Sequence, residues 1–190
     1  MNSGNHAPSK SGGFGRACVE FLVIVALIVG CAYLLRTYVI TPYEVPSGSM
    51  ETTIMSDDRI FSEKISYYSR SVQVGDIVTF DDPEVDGRTL VKRVVATGGQ
   101  TVDLVDGVVY VDGEAAFEPY TNGQQSYPLS TAADVTVEYP YTVPDGYIWV
   151  MGDNRGNSAD SRYFGAVPVS SVTGHVCFIY WPFQHFGPIS

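Results

Sequence analysis

The chain reads as a mostly β protein: antiparallel sheets form a β core with a smaller inserted β sub-domain, and one N-terminal transmembrane helix precedes them. Three observations predict this. Eleven prolines, nineteen glycines and thirteen tyrosines in 190 residues favour strands and turns over long helices. Short alternating runs recur between turn signals, among them two Asp-Gly pairs. One long apolar stretch, 17–35, stands apart from everything that follows.

That stretch contains a single charge, Glu20, and would extend roughly 28 Å as a helix, close to the thickness of a bilayer core. Lys10 and Arg16 precede it and one Arg36 follows, so the positive-inside rule places the N-terminus in the cytoplasm and the rest outside. The Ser/Gly/Asn-rich tail, 1–16, is expected to be disordered. A cleaved signal sequence is the competing reading. Ile28-Val29-Gly30-Cys31 also fits a lipoprotein processing box with Cys31 acylated, whereas apolar residues continuing past Cys31 favour a retained anchor. The retained anchor and the acylated Cys31 would both attach the remainder, 36–190, to a membrane.

Thr37-Tyr38-Val39-Ile40 is expected to be extended, and Pro42 and Pro46 exclude a continuous helix through the following linker. Strands are predicted over 59–68, 76–80 and 89–96, punctuated by Ser69-Arg70-Ser71, Gly75 and Gly98-Gly99. Asp106-Gly107 and Asp112-Gly113 bracket Val108-Val109-Tyr110-Val111, the clearest hairpin signal in the chain. The tyrosine-rich, less regular region 104–144 is read as the inserted excursion, and 146–151 and 172–181 return to the core sheet.

From Arg36 onward nine basic side chains face twenty acidic ones, which argues against nucleic acid as a partner. Of the three cysteines, Cys18 and Cys31 lie in or near the apolar run, leaving Cys177 without a mate for an internal disulfide. His6, His175 and His185 are scattered and no Cys/His pair has ligand spacing, so neither a metal nor another cofactor is expected.

Three segments carry candidate chemistry. Ser49 lies in a tight-turn sequence, Pro46-Ser47-Gly48-Ser49-Met50, fourteen residues past Leu35 and so within about 50 Å of the membrane edge. Leu90-Val91-Lys92-Arg93-Val94-Val95 sets two cations on opposite faces of an apolar strand. One of them is expected to face inward, and alternation does not say which. Burial would favour a neutral lysine, able to take a proton from a serine hydroxyl. Residues 152–162, Gly-Asp-Asn-Arg-Gly-Asn-Ser-Ala-Asp-Ser-Arg, supply dense short polar groups suited to a hydrogen-bonded wall.

Together with the apolar anchor and Gly75-Asp76-Ile77-Val78, these ordered blocks resemble bacterial type I signal peptidase, a serine/lysine protease family. The resemblance implies Ser49 as nucleophile, Lys92 as general base, and an oxyanion hole built from the Ser47 hydroxyl and the Ser49 backbone N–H. It implies that Ser158 orients the Lys92 amine and that Asp160 and Arg162 shape the wall. Asp153 and Arg93 are expected, from complementary charge, to pair. Two positions depart from the family pattern: Thr52 replaces a usual proline, and Gly156 a usual acid. Lysine at 92 also separates the chain from endoplasmic-reticulum-type relatives, which use histidine there. The implied substrates are secreted preproteins cut after small residues at −3 and −1. Met50, Trp181 and Phe183 are candidates for contact with the lipid bilayer, or for core packing. A non-catalytic, membrane-tethered β module such as a pilus-assembly relative is the alternative. It would be expected to lack the serine or the lysine.

Overall fold

The computed structural model describes residues 13–189 and divides into two units, residues 1–39 and 40–190. Most of the tail expected to be disordered therefore lies outside the described residues.

The first unit is helix α1 (Gly13–Tyr38), whose segment Gly15–Tyr38 is long and apolar enough to cross a membrane. It extends past the expected 17–35 and takes in Thr37 and Tyr38, which were expected to be extended. The helix continues because Pro42, the first residue unable to donate to its ladder, lies four residues beyond Tyr38.

The second unit is β-rich. In chain order its strands are β1 (Ile40–Glu44), β2 (Arg59–Glu63), β3 (Ile77–Asp81), β4 (Thr89–Thr97), β5 (Thr101–Val105) and β6 (Val108–Val111). There follow β7 (Glu114–Ala115), β8 (Tyr141–Thr142), β9 (Tyr147–Met151), β10 (Val167–Pro168), β11 (Val172–Trp181) and β12 (Gly187–Pro188). The large sheet runs β1-β2-β11-β3-β4-β9-β10, with β12 added on β11, and all its pairs are antiparallel. Pro42 is tolerated because β1 is an edge strand.

The smaller sheet runs β7-β6-β5-β8 and realises the predicted insertion, beginning at Thr101 rather than 104. Both Asp-Gly turns place their two residues at positive φ (51° and 83°, then 53° and 83°), the geometry two-residue hairpins require. Between β7 and β8 the chain is mainly loop, with one short 3-10 turn at Pro119–Thr121.

One strand prediction is corrected. The expected strand 59–68 stops at Glu63 and gives way to the single-turn helix α2 (Ser66–Ser69). Its start is fixed locally: the Glu63 carboxylate accepts the Ser66 N–H at 3.0 Å.

Three apolar clusters hold the unit together. Val78, Phe80, Val94 and Val150 belong to the first, Met50, Ile54, Ile60 and Ile179 to the second, and Val95, Val102, Trp149 and Met151 to the third. Strand β4 touches all three, through Leu90 and Val94, Val91, and Val95 and Ala96 respectively. It is therefore covered on both faces, which decides what happens to its two cations.

Candidate active site

Both cations of β4 are buried. Lys92 and Arg93 each retain 3% exposure, so where one inward-facing cation was expected the structure has two. A strand with a single solvent face would have exposed one of them; this strand has none.

Lys92 directs its Nζ to Ser49 Oγ at 2.8 Å and to the Val91 carbonyl at 2.9 Å. Burial pushes the amine down to about 8, against the opposing pull of the Asp160, Asp82 and Asp153 carboxylates. An amine poised near neutrality and within hydrogen-bond reach of a hydroxyl can accept its proton.

Ser49 sits in a 3-10 turn (Gly48–Met50) entered through the extended residue Ser47. Ser47 Oγ lies 3.4 Å from Ser49 Oγ. Met50 is fully buried in the second apolar cluster and anchors this turn, so its suggested contact with lipid is corrected to core packing. Trp181 and Phe183 are exposed, in an aromatic group with Phe186.

The 152–162 segment fastens the carbonyl side of the turn. Asn154 N–H donates to the Ser49 carbonyl at 3.1 Å, and its side-chain amide to the Gly48 carbonyl at 2.9 Å. Gly152 is required by this approach: a Cβ there would collide with the Ser49 carbonyl oxygen and the Ser158 hydroxyl.

Asp153 and Arg93 form a buried two-pronged ion pair, both contacts at 2.9 Å. Thr53 adds a third donor to Asp153, and the Arg93 guanidinium lies 3.9 Å from the centre of the Tyr120 ring. Asp160 and Arg162 are also buried and paired. Asp160 accepts the Gly152 N–H at 3.0 Å and caps the short helix α3 (Ser161–Phe164).

Ser158 lies beside Gly152 and the Ser49 carbonyl, but its buried hydroxyl has no hydrogen-bond partner in this structure. The expected bond from Ser158 to the amine is therefore not formed, and the Val91 carbonyl takes that place. Of the two departures, Thr52 donates to the Tyr120 carbonyl at 2.5 Å, and Gly156 has open space around its Cα.

A groove of about 340 Å³ opens over the pair, lined by residues 43–47, 88–92, Ser49, Asn157 and Ala159. Two strand edges border it. β1 is a sheet edge, and β9 pairs with β4 only from Arg93 onward, leaving the earlier part of β4 hydrogen-bonded on one side by β3.

Sequence reasoning missed Glu118, Ser126 and Tyr120, which pack around this site from the inserted region. No local pattern marks them, because their partners lie 37, 29 and 27 residues away. Among the described residues no cluster of His, Cys, Asp and Glu is arranged to hold a metal.

Residues 18–181 match the family described as signal peptidase, peptidase S26. The chain belongs to this family of serine peptidases. It is 39% identical to the probable signal peptidase I-1 of Synechocystis sp. over 88% of this chain and 84% of that one. Signal peptidase I of Bacillus licheniformis is 32% identical over 87% and 89% of the two chains. A solved signal peptidase I from Enterococcus faecalis is 35% identical, covering 56% of this chain and 97% of its own, with a TM-score of 0.45.

Proposed function

We propose that this chain is a membrane-bound serine endopeptidase that removes N-terminal signal peptides from exported preproteins through a Ser49/Lys92 dyad. The observation that carries the reading is the 2.8 Å contact between a buried lysine amine and a serine hydroxyl at an open groove.

The preprotein enters as an extended segment and pairs with the unfilled edges of β4 and β1, a form of strand addition. Neutral Lys92 takes the Ser49 proton as Oγ attacks the scissile carbonyl. The developing oxyanion is held by the Ser49 N–H and the Ser47 hydroxyl. The tetrahedral adduct collapses, Lys92 returns the proton to the leaving amine, and the mature N-terminus departs. Lys92 then deprotonates a water that attacks the acyl-enzyme, and the proton goes back to Ser49 as the signal peptide is released. Asp153, Arg93, Asp160 and Arg162 keep the wall beside the amine rigid, and Ser158 is available to take over from the Val91 carbonyl during turnover.

Helix α1 is the single-pass anchor, with its N-terminus cytoplasmic and the β unit outside. Exposed Trp181 and Phe183 rest in the lipid interface, where amphipathic rings are favoured. Preproteins and the bilayer are thus the partners, and the chemistry needs no metal.

The test is incubation of the full chain in detergent or vesicles with a model preprotein. Wild type is expected to release the mature protein and Ser49→Ala to leave it uncut. Cleavage by Ser49→Ala, or loss of cleavage on adding a chelator, overturns the reading.

A further inference from the structure

We propose that Glu118, on the loop between β7 and β8, is a positioning residue for the Ser49–Lys92 pair and acts through Arg155. This inference rests on the dyad reading above. The Arg155 side chain has no exposure, so its charge must be met inside the protein. Glu118 meets it with both oxygens, at 2.8 and 2.6 Å, and Ser126 Oγ adds a contact at 2.6 Å.

From that seat Arg155 gathers the catalytic wall. Its Nε donates to the Gly152 carbonyl at 3.0 Å, and its own carbonyl accepts Arg162 Nη2 at 2.9 Å. Gly152 is the residue pressed against the Ser49 carbonyl, and Asn154 beside it holds the same oxygen. Glu118 therefore reaches the serine turn through three contacts in series.

Polar contacts hold this wall, the Arg93–Asp153 and Asp160–Arg162 pairs at its two ends and the Glu118–Arg155 pair between them. None of residues 152–162 belongs to any of the three apolar clusters, so its conformation depends on polar bonds. Loosening Glu118 should displace the wall and the Ser49 turn while the clusters keep the fold. The inserted region contributes to the site in this way, through the loop between β7 and β8, without itself lining the groove.

The experiment compares Glu118→Gln, Glu118→Asp and Ser126→Ala with wild type in the full chain, using a model preprotein and a separate thermal unfolding measurement. Glu118→Gln is expected to lower kcat about ten- to a hundredfold, the scale of a small misplacement of reacting groups. KM should change less than about threefold, since the β1 and β4 segments that form most of the groove lining are untouched. The pH at half-maximal rate should rise as water reaches Lys92. Glu118→Asp, which keeps the charge, should fall between the two, and Ser126→Ala should show the same signature in weaker form. A folded Glu118→Gln with wild-type kcat and pH profile overturns the proposal, as does a loss that only tracks the unfolded fraction. If Glu118→Gln does not fold, an unchanged kcat and pH profile in Ser126→Ala overturns it. An active Ser49→Ala would instead sink the dyad reading, so the two failures are distinguishable.

Discussion

The two faces of β4 treat a buried cation in opposite ways. Lys92 and Arg93 are adjacent and equally buried, each 3% exposed. Arg93 receives a full complement of partners: two Asp153 oxygens, the Gly75 carbonyl and the Tyr120 ring. Lys92 receives a neutral hydroxyl and a backbone carbonyl, and the nearby carboxylates act on it only at longer range. Pairing compensates the charge on one face, so that residue braces the structure. On the other face burial outweighs the distant carboxylates and loosens the proton, as the proposed role of base requires. The difference lies in the partners, because burial is the same.

Exchanging brace for base is the sharpest way to break this contrast. Lys92→Met should abolish preprotein cleavage, a loss on the order of ten-thousand-fold or more for a group that acts as a unit with its nucleophile. It should leave the fold intact, as circular dichroism and thermal unfolding would show. Retained turnover would mean that the lysine is not the base.

Asp153→Asn should do the reverse, acting first on stability. Removing one member of a buried pair costs about 3–5 kcal/mol, read from chemical denaturation, because Arg93 is left uncompensated. A change under about 1 kcal/mol would mean that water compensates Arg93.

Ser47→Ala tests the oxyanion donor proposed beside the serine. A fall in kcat of about a hundred- to a thousandfold with unchanged melting is expected. A wild-type rate would leave the Ser49 N–H to act without it.

The pH dependence separates the two faces most finely. Cleavage should rise with pH as Lys92 loses its proton around 8, the value to which burial depresses it. Stability should follow the same group. Below about 8 the lysine is protonated folded and unfolded, and its burial penalty is fully present. Between about 8 and 10.5 only the unfolded chain keeps the proton, so stability rises with pH. Relative to Lys92→Met, wild type should gain about 3 kcal/mol across that window, measured as unfolding free energy at several pH values. A flat difference would mean that the amine is not shifted.

Legibility differed from element to element. The large strands follow from alternation and turn residues, and the hairpin from two Asp-Gly pairs whose backbone preference is local. Short polar motifs marked Ser49, Lys92 and the 152–162 wall through family resemblance. Complementary charge suggested the Arg93–Asp153 pair before any geometry. Local reading failed where the deciding contact was remote. Met50 reads as an exposed turn residue until Ile54, Ile60 and Ile179 close over it. The helical turn at Ser66–Ser69 is a different case, a local one: its Tyr-Tyr content favours β structure, while the Glu63 carboxylate three residues upstream accepts its first N–H.

The sequence by itself determined the apolar helix, the β character, the order of the motifs and the chemical types at the site, because composition, period and turn preference are properties of neighbouring residues. Only the tertiary structure decided that β4 is covered on both faces, that Arg93 is paired while Lys92 is not, and that Glu118 reaches Arg155 across 37 positions of chain. Those outcomes depend on which groups share a buried volume, and a buried charge is set by its partners in space rather than by its neighbours in sequence.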